Sequence, residues 1–254
     1  MSRAVLAALP LLLLGACVTT GDRPVDNKAA AQANVQLGVE YLKQGNLQVA
    51  KDKLDRAEKQ DPDNPDVYWT MAVLQEQLNQ PRQAEQDYRK AMDLAPEKPE
   101  IQNTYAAFLC KQGEVDRALP IFEKLIANKL YAQPYVAATN AGMCLRDDKR
   151  NADAQRYFER AVALGPGYVD AVVGLADLQI VQGKADAALQ TARSYMQDGN
   201  KSPDVLVVAV RASVAQHDCP NAQLYARLLR RDFPNSGQAA ALPQQLGACG
   251  GTAN

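Results

Sequence analysis

The sequence predicts an all-α protein, a right-handed superhelical solenoid of about six helix pairs, and three observations carry that reading. Alanine returns at the twentieth place of six successive units of about 34 residues, as Ala50, Ala84, Ala118, Ala154, Ala188 and Ala222. Proline returns at the thirty-second place of four of them, as Pro62, Pro96, Pro166 and Pro234. The seventh and eighth places carry the pairs Leu37-Gly38, Met71-Ala72, Tyr105-Ala106, Ala141-Gly142 and Leu175-Ala176. Two antiparallel helices need small side chains where their backbones cross and larger ones beside the crossing. Proline cannot continue a helix, so it stops the second one before the next unit begins. Each pair covers the apolar edge of its neighbour, which leaves one concave and one convex face.

The chain opens with Met1-Ser2-Arg3, a short basic region, followed by an apolar run over Ala4–Ala16 that Pro10 interrupts. That run is shorter than the roughly 20 residues of a membrane-spanning helix. Its flanks fit a secretory signal over residues 1–16, against the competing reading of a buried first helix. Leu14-Gly15-Ala16-Cys17 resembles a bacterial lipobox. The resemblance implies cleavage before Cys17, lipidation of that cysteine and export of the remainder. Val18 stands where an inner-membrane retention signal has Asp, which implies an outer-membrane anchor facing the periplasm. Residues 17–30 then read as the lipidated cysteine and a flexible tether, whose Val18–Ala30 part reaches roughly 40 Å at full extension. Removal of residues 1–16 discards Arg3 and leaves 27 basic against 29 acidic side chains. A near-neutral domain has no basic excess to hold a phosphate backbone, which argues against nucleic acid as a partner.

The repeat region is predicted over 31–236. Ala31–Asn64 places Leu37, Gly38, Tyr41, Ala50, Leu54, Ala57 and Pro62 in the pattern of a tetratricopeptide repeat, with Leu37, Tyr41 and Leu54 filling the space beside the crossing. Pro65–Lys98 repeats it with Tyr68, Tyr88 and Ala91, and Pro81 opens its second helix where a missing N–H is harmless. The unit beginning at Pro99 keeps Leu109 and Phe122 but carries Leu125 and Leu130 where alanine and proline are expected, and the next unit starts two residues late. A longer turn over Ala127–Pro134, or an extended second helix, is predicted there. Tyr135–Tyr168 restores the pattern through Leu145, Phe158, Ala161 and the stop Gly165-Pro166-Gly167. Val169–Ser202 is weaker, since Ala192 and Tyr195 reverse the large-then-small order; Pro203–Ser236 carries Ala209, Ala226 and Leu229. Within residues 237–254, Gln238–Leu246 is predicted as a short helix capping the last unit and Gly250–Asn254 as a tail.

Catalytic chemistry finds no foothold. The one histidine, His217, lies between Gln216 and Asp218 near a predicted turn. No paired-histidine metal motif, phosphate-binding Gly-Lys-Ser/Thr loop or Gly-x-Ser-x-Gly elbow occurs, so no cofactor, metal or small-molecule substrate is implied. Acidic residues such as Asp61, Asp63, Asp66 and Asp93 gather at helix ends, where capping explains them. Beyond Cys17 there are four cysteines, Cys110, Cys144, Cys219 and Cys249, an even number that favours disulfides in an oxidising compartment. Four cysteines allow three pairings. Cys110 and Cys144 fall at neighbouring places of consecutive first helices, which favours Cys110–Cys144 and leaves Cys219–Cys249, with buried free thiols as the competing reading.

The concave face is where a partner is expected. The second, fifth, ninth, twelfth and thirteenth places of each first helix tend to face it. They supply Val35, Val39 and Leu42, then Trp69 and Val73, then Asn103 and Ala107, and then Thr139 and Met143. Trp69 has two readings, a packing residue displaced by one place from Tyr68 or part of an apolar peptide-binding surface.

A lipobox at Leu14–Cys17, a short tether and repeats opening on Leu37-Gly38-x-x-Tyr41-Leu42 occur together here. Ala84-Glu85-x-x-Tyr88-Arg89-Lys90-Ala91 and Asn103-x-Tyr105-x-x-Phe108-Leu109 follow, with the late irregularity before Pro134. This combination resembles, over practically the whole chain, the PilF/PilW family of type IV pilus biogenesis lipoproteins. The resemblance implies a pilotin, a non-enzymatic chaperone that binds the pilus secretin and promotes its outer-membrane localisation and multimerisation. The alternative is a repeat lipoprotein that scaffolds peptidoglycan enzymes or outer-membrane assembly factors. Asp177 and Arg211 occupy the ninth place in the C-terminal half, which gives that part of the groove a different character.

Overall fold

The computed structural model describes residues 26–197 and 199–249. Twelve of its helices form six antiparallel pairs: α1 (Asn27–Lys43) with α2 (Leu47–Gln60), α3 (Pro65–Gln77) with α4 (Pro81–Leu94), α5 (Pro99–Lys111) with α6 (Val115–Ala127), α7 (Pro134–Asp147) with α8 (Asn151–Leu164), α9 (Val169–Val181) with α10 (Ala185–Gln197), and α11 (Pro203–Ala215) with α12 (Cys219–Asp232). Two short helices, α13 (Gly237–Ala240) and α14 (Leu242–Leu246), and a 3₁₀ turn at Gly247–Cys249 close the last pair. The described residues hold no strand, and no described helix is long and apolar enough to cross a membrane.

The crossings are built from the small residues that the repeat predicts. All six alanines at the twentieth place, from Ala50 to Ala222, are 0% exposed. A Cβ added at Gly38 would come within 2.9 Å of Leu54, and one at Gly142 within 2.8 Å of Phe158. Gly174, two places earlier in its own unit, closes on the same ring, since its Cβ would lie 2.5 Å from Phe158 Cε1. Phe158 is therefore held between the first helices of units four and five. Adjacent units are also tied by polar pairs: Arg117 to Glu85 (2.9 Å), Arg160 to Glu123 (2.9 Å) and Arg211 to Asp177 (2.6 Å).

Each turn between the two helices of a unit uses the same backbone device. The residue at the fifteenth place has positive φ in all six: Gly45, Asn79, Gly113, Lys149, Gly183 and His217. The N–H after it reaches back to the carbonyl five residues earlier, as in Asn46 to Tyr41 and Asp218 to Ser213. That six-to-one bond ends a helix with a left-handed residue and satisfies a carbonyl the helix would leave unpaired. His217 thus serves as a turn residue.

Several details depart from the sequence reading. Helix α1 begins at Asn27, four residues earlier than the repeat implies, because Asp26 caps it by accepting from the N–H groups of Lys28 and Ala29. Leu37, expected to fill the crossing, is 44% exposed. The equivalent Tyr105, Ala141, Leu175 and Ala209 are buried and Met71 is half-buried, whereas no helix pair precedes Leu37 among the described residues. Between α6 and α7 the insertion forms a longer turn: Tyr131 is buried, Leu130 stands 95% exposed, and Asn128 Oδ1 accepts from Leu130 N at 2.9 Å. The predicted single capping helix is broken at Ala241 into α13 and α14, with Leu242 and Leu246 buried against the last unit. The predicted signal, Cys17 and most of the tether, and the tail 250–254, lie outside the described residues.

Two disulfides join Cys110 to Cys144 and Cys219 to Cys249, with Cα–Cα distances of 5.4 and 4.9 Å. The first closes a loop of 34 residues between units three and four. Constraint of the unfolded chain by a loop of that size is worth about 4 kcal/mol in the chain-entropy account. The second fastens the cap, where Gln223 Nε2 also donates to the carbonyl of Cys249 at 3.2 Å.

Replacing Gly174 with Ala tests the crossing at Phe158. Overpacking of this kind costs about 1–3 kcal/mol, so thermal unfolding should shift down accordingly. An unchanged transition would show that the ring moves aside freely.

Candidate partner-binding groove

The concave face can be read as rows of three, one row from each first helix. The N-terminal rows are Val35, Val39 and Leu42 on α1 and Trp69, Val73 and Glu76 on α3. These residues do not contribute equally. Val35 and Leu42 are only 4% and 6% exposed and belong to the core, so they form walls and floor rather than open surface. Val39, Trp69 and Val73 are half-buried and form the open apolar surface.

Two adjoining cavities make up this trough. One, of about 300 Å³, is lined by Val39, Leu42, Trp69 and Val73 with Lys43, Gln77 and Thr104 at its margin. The other, of about 370 Å³, continues from Val35, Val39 and Trp69 toward Asp66 and Lys98. An apolar floor with polar margins suits an amphipathic peptide, whose apolar side chains would leave water while its backbone stays near polar groups.

The lone tryptophan is fixed by its neighbours. Lys98 forms an ion pair with Asp66 and places its ammonium 5.4 Å from the centre of the Trp69 ring. Trp69 Nε1 is shielded from water and has no acceptor. Trp69 is half-buried, with Lys98 beside its ring, and it lines both cavities of the trough.

Ala107 and Met143 are half-buried but do not line the trough. Farther along, units three and four are joined by Asn140 Nδ2, which donates to Asn103 Oδ1 at 3.2 Å, and by the Cys110–Cys144 disulfide. Thr139 is 1% exposed and donates to the Tyr135 carbonyl. Polar residues that sequence reasoning did not place in the groove, Lys43, Asp66, Gln77, Lys98 and Thr104, supply the margins. Only Lys98 and Asp66 carried a signal, their separation of one repeat less two residues.

Perturbed groups do not assemble into a reaction centre. Asp87, on the outer helix α4, is pushed up to about 6 by burial and by Glu58, with Lys90 opposing. The hydrogen bond from Arg117 holds Glu85 below the usual carboxylate range despite partial burial. Both belong to inter-helix contacts away from the trough. Among the described residues, no three His, Cys, Asp or Glu side chains gather as metal ligands would.

A tetratricopeptide-repeat family model matches residues 41–86, 77–138 and 145–213. The chain belongs to the tetratricopeptide-repeat family. It is 28% identical over 239 residues to the type IV pilus assembly protein PilF of Pseudomonas aeruginosa, covering 92% of this chain and 95% of that one. The solved structure of PilW, a widely conserved type IV pilus biogenesis factor, superposes with a TM-score of 0.65 at 25% identity, covering 84% of this chain and 97% of PilW. That of Pseudomonas aeruginosa PilF gives 0.64 at 26% identity, covering 86% and 99%. This tetratricopeptide-repeat chain is thus homologous to PilF and PilW along nearly their whole length.

Because Trp69 is the one tryptophan in the sequence, fluorescence excited at the red edge, where the ten tyrosines do not absorb, reports on the trough alone. Acrylamide should quench it partly in the free protein, and a bound peptide should reduce that quenching and shift emission to the blue. A quenching constant equal to that of free tryptophan would contradict the half-buried placement.

Proposed function

We propose that this chain is a pilotin of the type IV pilus: a lipoprotein, anchored in the outer membrane through Cys17 and facing the periplasm, that binds the pilus secretin and promotes its localisation and multimerisation. One observation carries the reading, the homology to PilF over 92% of this chain and 95% of that one. The trough agrees with it. A chaperone for an oligomer-forming subunit must cover an apolar segment before its neighbours do, and must release it to them. An open trough of this size meets that need, since apolar burial supplies roughly 25 cal/mol per Å² before the costs of ordering. Binding of that kind is modest and reversible.

The arrangement of the chain supports the same reading. A lipid on Cys17 would hold the first unit nearest the membrane, and the trough lies in units one and two. The bound segment would therefore sit close to the bilayer that the secretin enters.

Photo-crosslinking in cells tests this. A photoreactive residue in place of Val73 should capture the secretin, whereas one in place of exposed Leu224 on α12 should not. Capture of a peptidoglycan enzyme from the trough, with no secretin adduct, would replace the pilotin reading with that of a scaffold.

A further inference from the structure

The trough occupies two units, yet the concave face runs on through six. In units five and six its composition is apolar around a charge pair. Between Ala171 and Ile180 the only residues that are not buried are Val173, Asp177 and Ile180. Between Val205 and Val214 they are Val207, Arg211 and Val214. Spacings of four and three place each trio on one stripe of its helix. The stripes adjoin, because Arg211 Nη1 donates to Asp177 Oδ1 at 2.6 Å. Each stripe is thus a valine, a charged residue and a second branched apolar residue, at matching places in consecutive repeats.

A third charge completes the group. Arg146, on the neighbouring α7, holds in unit four the place that Ile180 and Val214 hold in units five and six, and its charge acts on the Asp177 carboxyl in the same sense as that of Arg211. Arg146 donates only to Asp147, which is 71% exposed on its side chain, so that pair is worth little. A guanidinium carries five N–H donors. Arg211 commits Nη1 to Asp177, and its side chain remains 36% exposed; that of Arg146 remains 38% exposed. Two cations with donors to spare thus act on one carboxylate, one of them bonded to it, among branched aliphatic side chains at equivalent places of the repeat.

We propose that the concave face of units four to six is a second binding site, which takes a peptide segment bearing a carboxylate between apolar side chains. The carboxylate accepts from Arg146 and Arg211, and the flanking side chains cover Val173, Ile180, Val207 and Val214. From Val173 to Ile180 the helix rises about 10 Å, which matches two turns of a helical ligand or three extended residues. A nucleic-acid backbone does not fit this surface, since two guanidiniums among aliphatic stripes give no track for successive phosphates. The proposal stands apart from the pilotin reading, because none of these residues lines the trough at Trp69.

The test uses the full chain and three blocked synthetic peptides built on Leu-Val-X-Leu-Val, with Glu, Gln or Lys at X, followed by NMR of the backbone amides and arginine Nε–H groups. The Glu peptide should shift the Arg146 and Arg211 signals and the amides of α9 and α11. It should bind about tenfold more tightly than the Gln peptide, as charge-assisted bonds do, and the Lys peptide should bind most weakly. Arg146→Gln leaves the Asp177–Arg211 pair intact, so the fold persists. It should remove most of the advantage of Glu over Gln while changing Gln-peptide binding little. Equal affinities for the three peptides would overturn the proposal, as would shifts confined to the Trp69 trough. Shifts of the same stripes on raising protein concentration without peptide would assign the surface to a second copy of the chain instead.

Discussion

The solenoid depends on how closely neighbouring helices can approach, and that is decided by residues without side-chain bulk. Phe158 shows the constraint most directly: its ring lies where a Cβ on either Gly142 or Gly174 would need to be. The buried alanines at the twentieth place impose the same limit inside every pair. Because each unit rests on the one before, one poorly fitted crossing tilts all the units beyond it. The rows of the concave face are aligned only while these crossings hold, so that face inherits its shape from buried glycine and alanine positions.

Much of this is legible in the sequence because the requirements are local. Alanine at a crossing and proline after a second helix act within one unit, and Ala50, Ala84, Pro62 and Pro96 declare them without knowledge of the neighbours. The left-handed turn is legible at Gly45, Gly113 and Gly183, less so at Asn79 and His217, whose types tolerate that region, and concealed at Lys149. Leu37 illustrates the opposite limit. It has the right type for a buried place, yet what covers that place in later units is the preceding helix pair.

The groove was legible as a face but not in its depth. Helical spacing places Val35, Val39, Leu42, Trp69 and Val73 together, and the structure does bring all five to the trough. Spacing cannot tell which of them the next helix will cover, and Val35 and Leu42 are largely covered. Ala107 and Met143 continue the same pattern into units three and four, which the Asn103–Asn140 bond and the Cys110–Cys144 disulfide join and where neither residue lines the trough. One periodic pattern thus yields an apolar trough, a bonded middle and a charged C-terminal stretch. The difference lies in side-chain chemistry at equivalent places of the repeat.

The central claim is that the apolar trough of units one and two carries the assembly function. A strain lacking this protein, complemented with the Val39→Glu variant, tests it most directly, with secretin multimers resolved from monomers by semi-denaturing electrophoresis. Val39 is half-buried at the trough surface, so a charge there opposes ligand burial while the core beneath remains filled. The account predicts that Val39→Glu accumulates to wild-type levels with an unchanged circular dichroism spectrum, yet leaves the secretin largely monomeric. Leu224→Glu, on the outer helix, should restore multimers fully. Normal multimers in the Val39→Glu strain would contradict the claim.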